Sequence, residues 1–135
     1  MVGDRFPGGT TVIERWENHL LCDALGVEPP PDGLAHPGFL FHLPLRGVQL
    51  TIEQMLAFGQ PESEEAVRAG GYHWTLHRPL KVDTPYRCTG HVLKVERKHG
   101  RRAGTMDLMT FRIELADDAD GSPVATADTT CVFLR

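Results

Sequence analysis

Residues 37–43, Pro-Gly-Phe-Leu-Phe-His-Leu, are apolar on nearly every side of any helix they form. A helix with no polar face has to be enclosed by the rest of its chain. The near-apolar run over residues 39–45 is the longest in the sequence, and His42 and Pro44 interrupt it. It is far shorter than the roughly 20 residues of a membrane span, so no membrane insertion is expected. Pro37 suits a first helical turn, whereas Pro44 and Gly47 weaken any continuation. The chain must therefore supply a cover that surrounds a short greasy rod.

The second half of the sequence reads as that cover. Residues 71–78 alternate, with Tyr72, Trp74 and Leu76 on one face and His73, Thr75 and His77 on the other. Residues 86–97 read as a long strand ending in the basic turn Lys98-His99-Gly100-Arg101. Residues 105–115 place Thr105, Asp107, Met109, Phe111, Ile113 and Leu115 on one side. Residues 116–121 carry the hairpin signal Asp120-Gly121, and residues 123–134, rich in Val and Thr, read as the last strand.

The first half reads as loops and helices. Residues 3–9 are expected to be a loop. Val12, Ile13, Trp16, Leu20, Leu21, Ala24 and Leu25 recur at helical spacing and predict a helix with one apolar face, stopped by Gly26. Residues 27–38 hold four prolines and two glycines beyond Gly26 and read as a loop. Thr51-Ile52-Glu53-Gln54 has the form of a capping box and starts a short helix to Phe58. Residues 60–71 read as a surface loop. An apolar helix followed by an antiparallel meander predicts an α+β fold in which a curved sheet wraps that helix.

Composition narrows the function classes. The chain has 135 residues, 41% of them hydrophobic, enough for the core of one domain spanning residues 1–135. Its net charge of −4 leaves no basic footprint for nucleic acid. The N-terminal residues lack a charged head followed by an apolar segment, so no signal peptide is read and a cytoplasmic location is expected. Cys22, Cys88 and Cys131 are odd in number and widely spaced. They support neither a disulfide framework nor a zinc ribbon. Cys88 and Cys131 are read as small apolar side chains within strands.

Several stretches carry a family likeness. His36-Pro37-Gly38-Phe39-Leu40 resembles the small-residue start of a central hotdog helix, and Arg78-Pro79-Leu80-Lys81-Val82-Asp83-Thr84 resembles the strand connection of MaoC-like dehydratases. Gly90-His91-Val92 through Arg97, Gly100 through Thr105, and Val132-Phe133-Leu134 after Thr129-Thr130 resemble the N-terminal-half, fatty-synthase-like subgroup. The resemblance implies a hotdog fold and a thioester-binding tunnel at a dimer interface. It implies addition or removal of water across an enoyl thioester carried on coenzyme A or acyl carrier protein, with no further cofactor. The partner it implies is a second copy or an unlike hotdog subunit. In unlike pairs, one chain carries the catalytic residues and the other shapes the acyl channel.

That reaction needs a base, an acid and donors that polarise the thioester carbonyl. The family takes the first two from a D-x-N-P-x-H motif, which this sequence lacks. The nearest substitute is Asp32-Gly33-Leu34-Ala35-His36. Asp32 and His36 are either a relocated acid–base pair or a loop carboxylate beside a histidine that bonds nearby backbone. Backbone N–H groups of Gly38 and Phe39 are candidate carbonyl donors. His42 either reaches the tunnel or is a core histidine. Arg101 and Arg102, clustered with Arg97 and Lys98, are candidates for carrier phosphates or an acidic carrier face. No metal site is expected: His73 and His77 share a strand face, but spacing places no further ligands. A thioesterase is the competing enzyme reading, with Glu53 and Glu17 as helical carboxylates. A non-catalytic acyl-binding subunit is the third.

Overall fold

In a computed structural model, residues 2–41, 43–61, 63, 66–102 and 104–135 are described. Five antiparallel strands form one sheet in the order β1-β3-β4-β5-β2. They are β1 (Gly9–Thr11), β2 (Val67–Leu76), β3 (Tyr86–Gly100), β4 (Gly104–Asp117) and β5 (Pro123–Leu134). Helix α1 (Arg15–Leu25) precedes a 3-10 turn (Pro37–Phe41), then α2 (Leu43–Gly47) and α3 (Ile52–Ala57). Among the described residues no helix is long and apolar enough to cross a membrane.

The sheet has one apolar face because its strands alternate. Tyr86, Cys88 and Val92 of β3, Met109, Phe111, Ile113 and Leu115 of β4, and Ala125, Ala127, Cys131 and Phe133 of β5 are buried. The intervening side chains of β4 and β5 make a polar outer face. There Arg112 donates twice to the Asp128 carboxylate, at 2.9 and 2.8 Å, and the Thr110 and Thr130 hydroxyls bond each other. The expected greasy segment lies on the apolar face: Phe39, Leu40, Leu43 and Val48 are buried there with the sheet residues, and α2 packs against β1, β3 and β4. The segment is two short pieces rather than one rod. Pro44, which has no N–H to give, sits in the first turn of α2, so the preceding turn closes on itself as 3-10 and a fresh helix begins.

The fold departs from the sequence expectations at four places. The α1 stripe faces the core in part, through buried Ile13 and partly buried Leu21. Asn18 and Cys22 are buried, whereas Trp16, Leu20 and Leu25 are 59%, 61% and 52% exposed. Hydrogen bonds from Asn18, described below, set the rotation of this helix in place of its apolar residues. Strand β2 begins at Val67, inside the expected 60–71 loop; a bulge between Ala69 and Gly71 hides its alternation. Gly9–Thr11, expected to lead from loop into helix, form the short edge strand β1 against Tyr86–Cys88. Helix α1 consequently starts at Arg15 rather than at Val12. The other helix signals match. Gly26 ends α1 in the left-handed region at φ 71°, and Thr51 and Gln54 cap α3 reciprocally at 3.0 Å each.

One ionic cluster ties the sheet's end to the α3 loop. The Asp107 carboxylate accepts from Arg97 at 2.8 and 3.0 Å and from Arg135 at 3.0 Å. Arg135 also donates to the Gly59 and Gln60 carbonyls. The Arg97 hydrogen bonds, opposed by burial and reinforced by Arg135, hold the Asp107 carboxyl down at about 2. A carboxyl depressed from its unfolded value of about 3.9 stabilises the fold above that pH, and the contribution fades as pH falls toward 2. Asp107→Asn is expected to lower unfolding free energy by about 1–2 kcal/mol at pH 7. In urea titrations that difference should shrink as pH drops from 4 to 2.

Candidate functional site

Between the central segment, α3 and the sheet's β4, β5 and β2 strands lies an apolar cavity of about 240 Å³, lined by Leu40, Phe41, Pro44 and Leu45 and by the α3 residues Ile52, Met55 and Leu56. The strand wall is Val67, Arg68, Ala69 and Tyr72 of β2, Ile113 of β4, and Ala127, Thr129 and Cys131 of β5. At the Val67 end the cavity meets an open groove through the shared residues Ile52, Leu56 and Val67; Glu53, Gln60 and Ser63 line the groove's rim. At the other end the Phe41 and Tyr72 rings meet with centroids 5.5 Å apart, and Trp74 follows at 6.0 Å from Tyr72.

This end is uncovered. Strand β2 is an edge of the sheet, bonded only to β5. Phe41, Tyr72, Trp74 and Leu76 are exposed there. The alternation expected for residues 71–78 is therefore correct in register, but its apolar side faces open space beyond the central segment.

The expected acid–base residues do not form a pair. Asp32 sits in a turn at φ 63°, exposed, and has no hydrogen-bond partner among the described residues. His36 stands immediately before the 3-10 turn, and its Nδ1 accepts the Gly38 N–H at 2.8 Å. A ring nitrogen that accepts carries no proton, so the neutral ring is protonated at Nε2. His36 thus caps the first turn of the central segment. The Phe39 N–H donates to the His36 carbonyl at 3.2 Å. Both expected carbonyl donors are already engaged within the chain, and the Phe39 side chain belongs to the core.

Buried Asn18 holds this arrangement, and sequence reasoning passed it over because it interrupts an apparently apolar helix. Its Oδ1 accepts the His36 N–H at 2.9 Å, and its Nδ2 donates to the Leu34 carbonyl at 3.3 Å. The Cys22 thiol donates weakly to the same Oδ1 at 3.8 Å. Asn18→Ala leaves a buried N–H and a carbonyl without their partner. It is expected to cost about 1–3 kcal/mol, measurable by denaturant unfolding, with the loop over residues 32–36 gaining amide exchange.

Of the other expected binding residues, His42 lies outside the described residues. Arg101 and Arg102 sit at the exposed β3–β4 turn and have no salt-bridge partner among the described residues, unlike Arg97. Neither lines the cavity. Among the expected carboxylates, Glu17 is held by Arg46 at 2.6 Å, whereas Glu53 stands on the groove rim. The three cysteines are buried and free. Burial pushes the Cys88 thiol up to about 12 and raises Cys131, so neither is a ready nucleophile. His73 lies on the outward side of β2, and His77 follows the strand's last residue. Among the described residues no three His, Cys, Asp or Glu side chains converge on a metal-sized site.

No family model matches the chain, and no curated protein matches it in sequence. Solved structures do match. The ChsH1–ChsH2 complex of Mycobacterium tuberculosis gives a TM-score of 0.75 at 13% identity, covering 96% of this chain and 84% of that one. The HadBC (3R-hydroxyacyl-ACP dehydratase) complex of the same organism gives 0.69 at 16% identity, covering 98% and 94%. An (R)-hydratase from A. caviae involved in PHA biosynthesis gives 0.62 at 13% identity, covering 100% and 97%. Hydratases, dehydratases and thioesterases all occur among the matching folds. The likeness establishes that the chain has the hotdog fold.

Proposed function

We propose that this hotdog chain is the acyl-binding subunit of a MaoC-like (3R)-hydroxyacyl or enoyl thioester hydratase–dehydratase, completed by a second hotdog chain that brings the acid and base. One contrast carries the reading. The cavity beside the central segment is formed and apolar, while the loop where the family keeps its acid and base holds an isolated Asp32 and a His36 spent on capping Gly38. Binding has been kept and proton transfer has not.

The uncovered edge supports a partner. An unpaired strand beside exposed Phe41, Tyr72, Trp74 and Leu76 is a surface that a second sheet can extend and bury. Two of the matching folds were solved as complexes, ChsH1 with ChsH2 and HadB with HadC. The ligand in this reading is an acyl thioester on coenzyme A or acyl carrier protein, and no other cofactor takes part. Arg101 and Arg102, without an ion-pair partner among the described residues, are assigned to the phosphates or acidic face of that carrier.

The purified chain alone is expected not to hydrate crotonyl-CoA, and activity is expected on mixing with a sister hotdog that retains D-x-N-P-x-H. Loss of absorbance at the enoyl thioester band measures both. Hydration by the lone chain at a rate typical of enzymes would overturn the reading. A thioesterase reading rests on Glu53, the one carboxylate on the groove rim among the described residues. Acyl-CoA hydrolysis abolished by Glu53→Gln would establish it instead.

A further inference from the structure

The wall of the acyl cavity is apolar except for Arg68 and one facing pair of hydroxyl residues. Tyr72 on β2 and Thr129 on β5 are directly opposed in register, and both line the cavity. Opposed residues of an antiparallel pair have their Cβ atoms about 5 Å apart on the same face. Neither hydroxyl has a hydrogen-bond partner among the described residues: the Thr110–Thr130 hydroxyl pair lies on the outer face and involves neither of them. The Tyr72 ring is located from both sides, by Phe41 at 5.5 Å and Trp74 at 6.0 Å. Both hydroxyls therefore belong to facing residues near the Phe41 end of a pocket otherwise largely suited to hydrocarbon.

We infer that Tyr72 and Thr129 form a hydroxyl clamp that donates to the carbonyl oxygen of the bound acyl thioester, setting its position at the Phe41 end of the cavity. This rests on the acyl-thioester reading above and deepens it. The expected backbone donors at Gly38 and Phe39 are occupied by His36, so the cavity's polarising groups have to come from elsewhere. A carbonyl needs donors, and side-chain hydroxyls serve that role where backbone N–H groups do not. The rest of the wall assigns the direction: the acyl tail runs from the clamp past Cys131 toward Met55, Leu56 and Val67, where the lining is almost wholly apolar. The clamp makes the cavity selective for a chain bearing an oxygen at its head over a plain hydrocarbon.

The test uses Tyr72→Phe and Thr129→Val, each of which removes a hydroxyl and keeps its shape. Hexanoyl-CoA and S-hexyl-CoA, the thioether that lacks only the carbonyl, are titrated calorimetrically into the parent and variant chains. The parent is expected to bind the thioester more tightly. Each substitution is expected to weaken hexanoyl-CoA about three- to tenfold and leave S-hexyl-CoA unchanged, which also shows that the variant is folded. Equal effects on both ligands, or none on either, overturn the clamp while leaving the acyl reading standing. If the substitutions weaken only 3-hydroxyhexanoyl-CoA, the hydroxyls meet the chain's own alcohol, and the carbonyl assignment is overturned. A parent chain that binds neither ligand refutes the thioester reading, and the clamp with it.

Discussion

The structure depends on burying a short apolar segment that cannot be left in water. Phe39, Leu40, Leu43 and Val48 are covered by the apolar face of a five-stranded sheet. Full burial of each such side chain is worth roughly 1.5–3 kcal/mol. The sheet does not close tightly on the segment. Between the segment, α3 and strands β4, β5 and β2 a cavity remains, and at its end lies an exposed aromatic cluster beside the edge strand β2.

From this follows a division between holding a ligand and transforming it. Holding needs apolar wall and a few placed donors: Ile113, Ala127 and Met55 form such wall, and Tyr72 and Thr129 are the hydroxyls proposed as donors. Proton transfer needs titratable groups within reach of the reacting atoms. The loop that ought to bring them is instead committed to structure, through Asn18, His36 and Gly38. A histidine whose Nδ1 is taken by a backbone N–H has one nitrogen left, and Asp32 does not meet it.

The strands were legible because their period of two survives in sequence: β5 agrees at both ends, and the buried side of β4 was read residue by residue. Capping signals at Thr51 and Gly26 were equally plain, since each acts through its immediate neighbours. What failed depended on distant partners. The Trp16–Leu20 stripe has helical period, yet the helix turns its Asn18 inward because Leu34 and His36 wait there with unpaired backbone groups. A bulge beside Gly71 broke the alternation that would have extended β2 back to Val67. The cavity could not be read at all. Its lining is assembled from the central segment, α3 and three strands, and Phe39 and Leu40, adjacent in sequence, part company there: Phe39 joins the core, while Leu40 also forms cavity wall.

The most direct measurement is amide chemical-shift mapping of the labelled chain during addition of an acyl-CoA whose terminal carbon bears a nitroxide. With the tail in the cavity, broadening is strongest at Met55, Leu56, Val67 and Cys131 and fades toward the β4–β5 turn at residues 118–121, at the opposite end of the sheet. Broadening centred on that turn, or spread evenly over the chain, would contradict it.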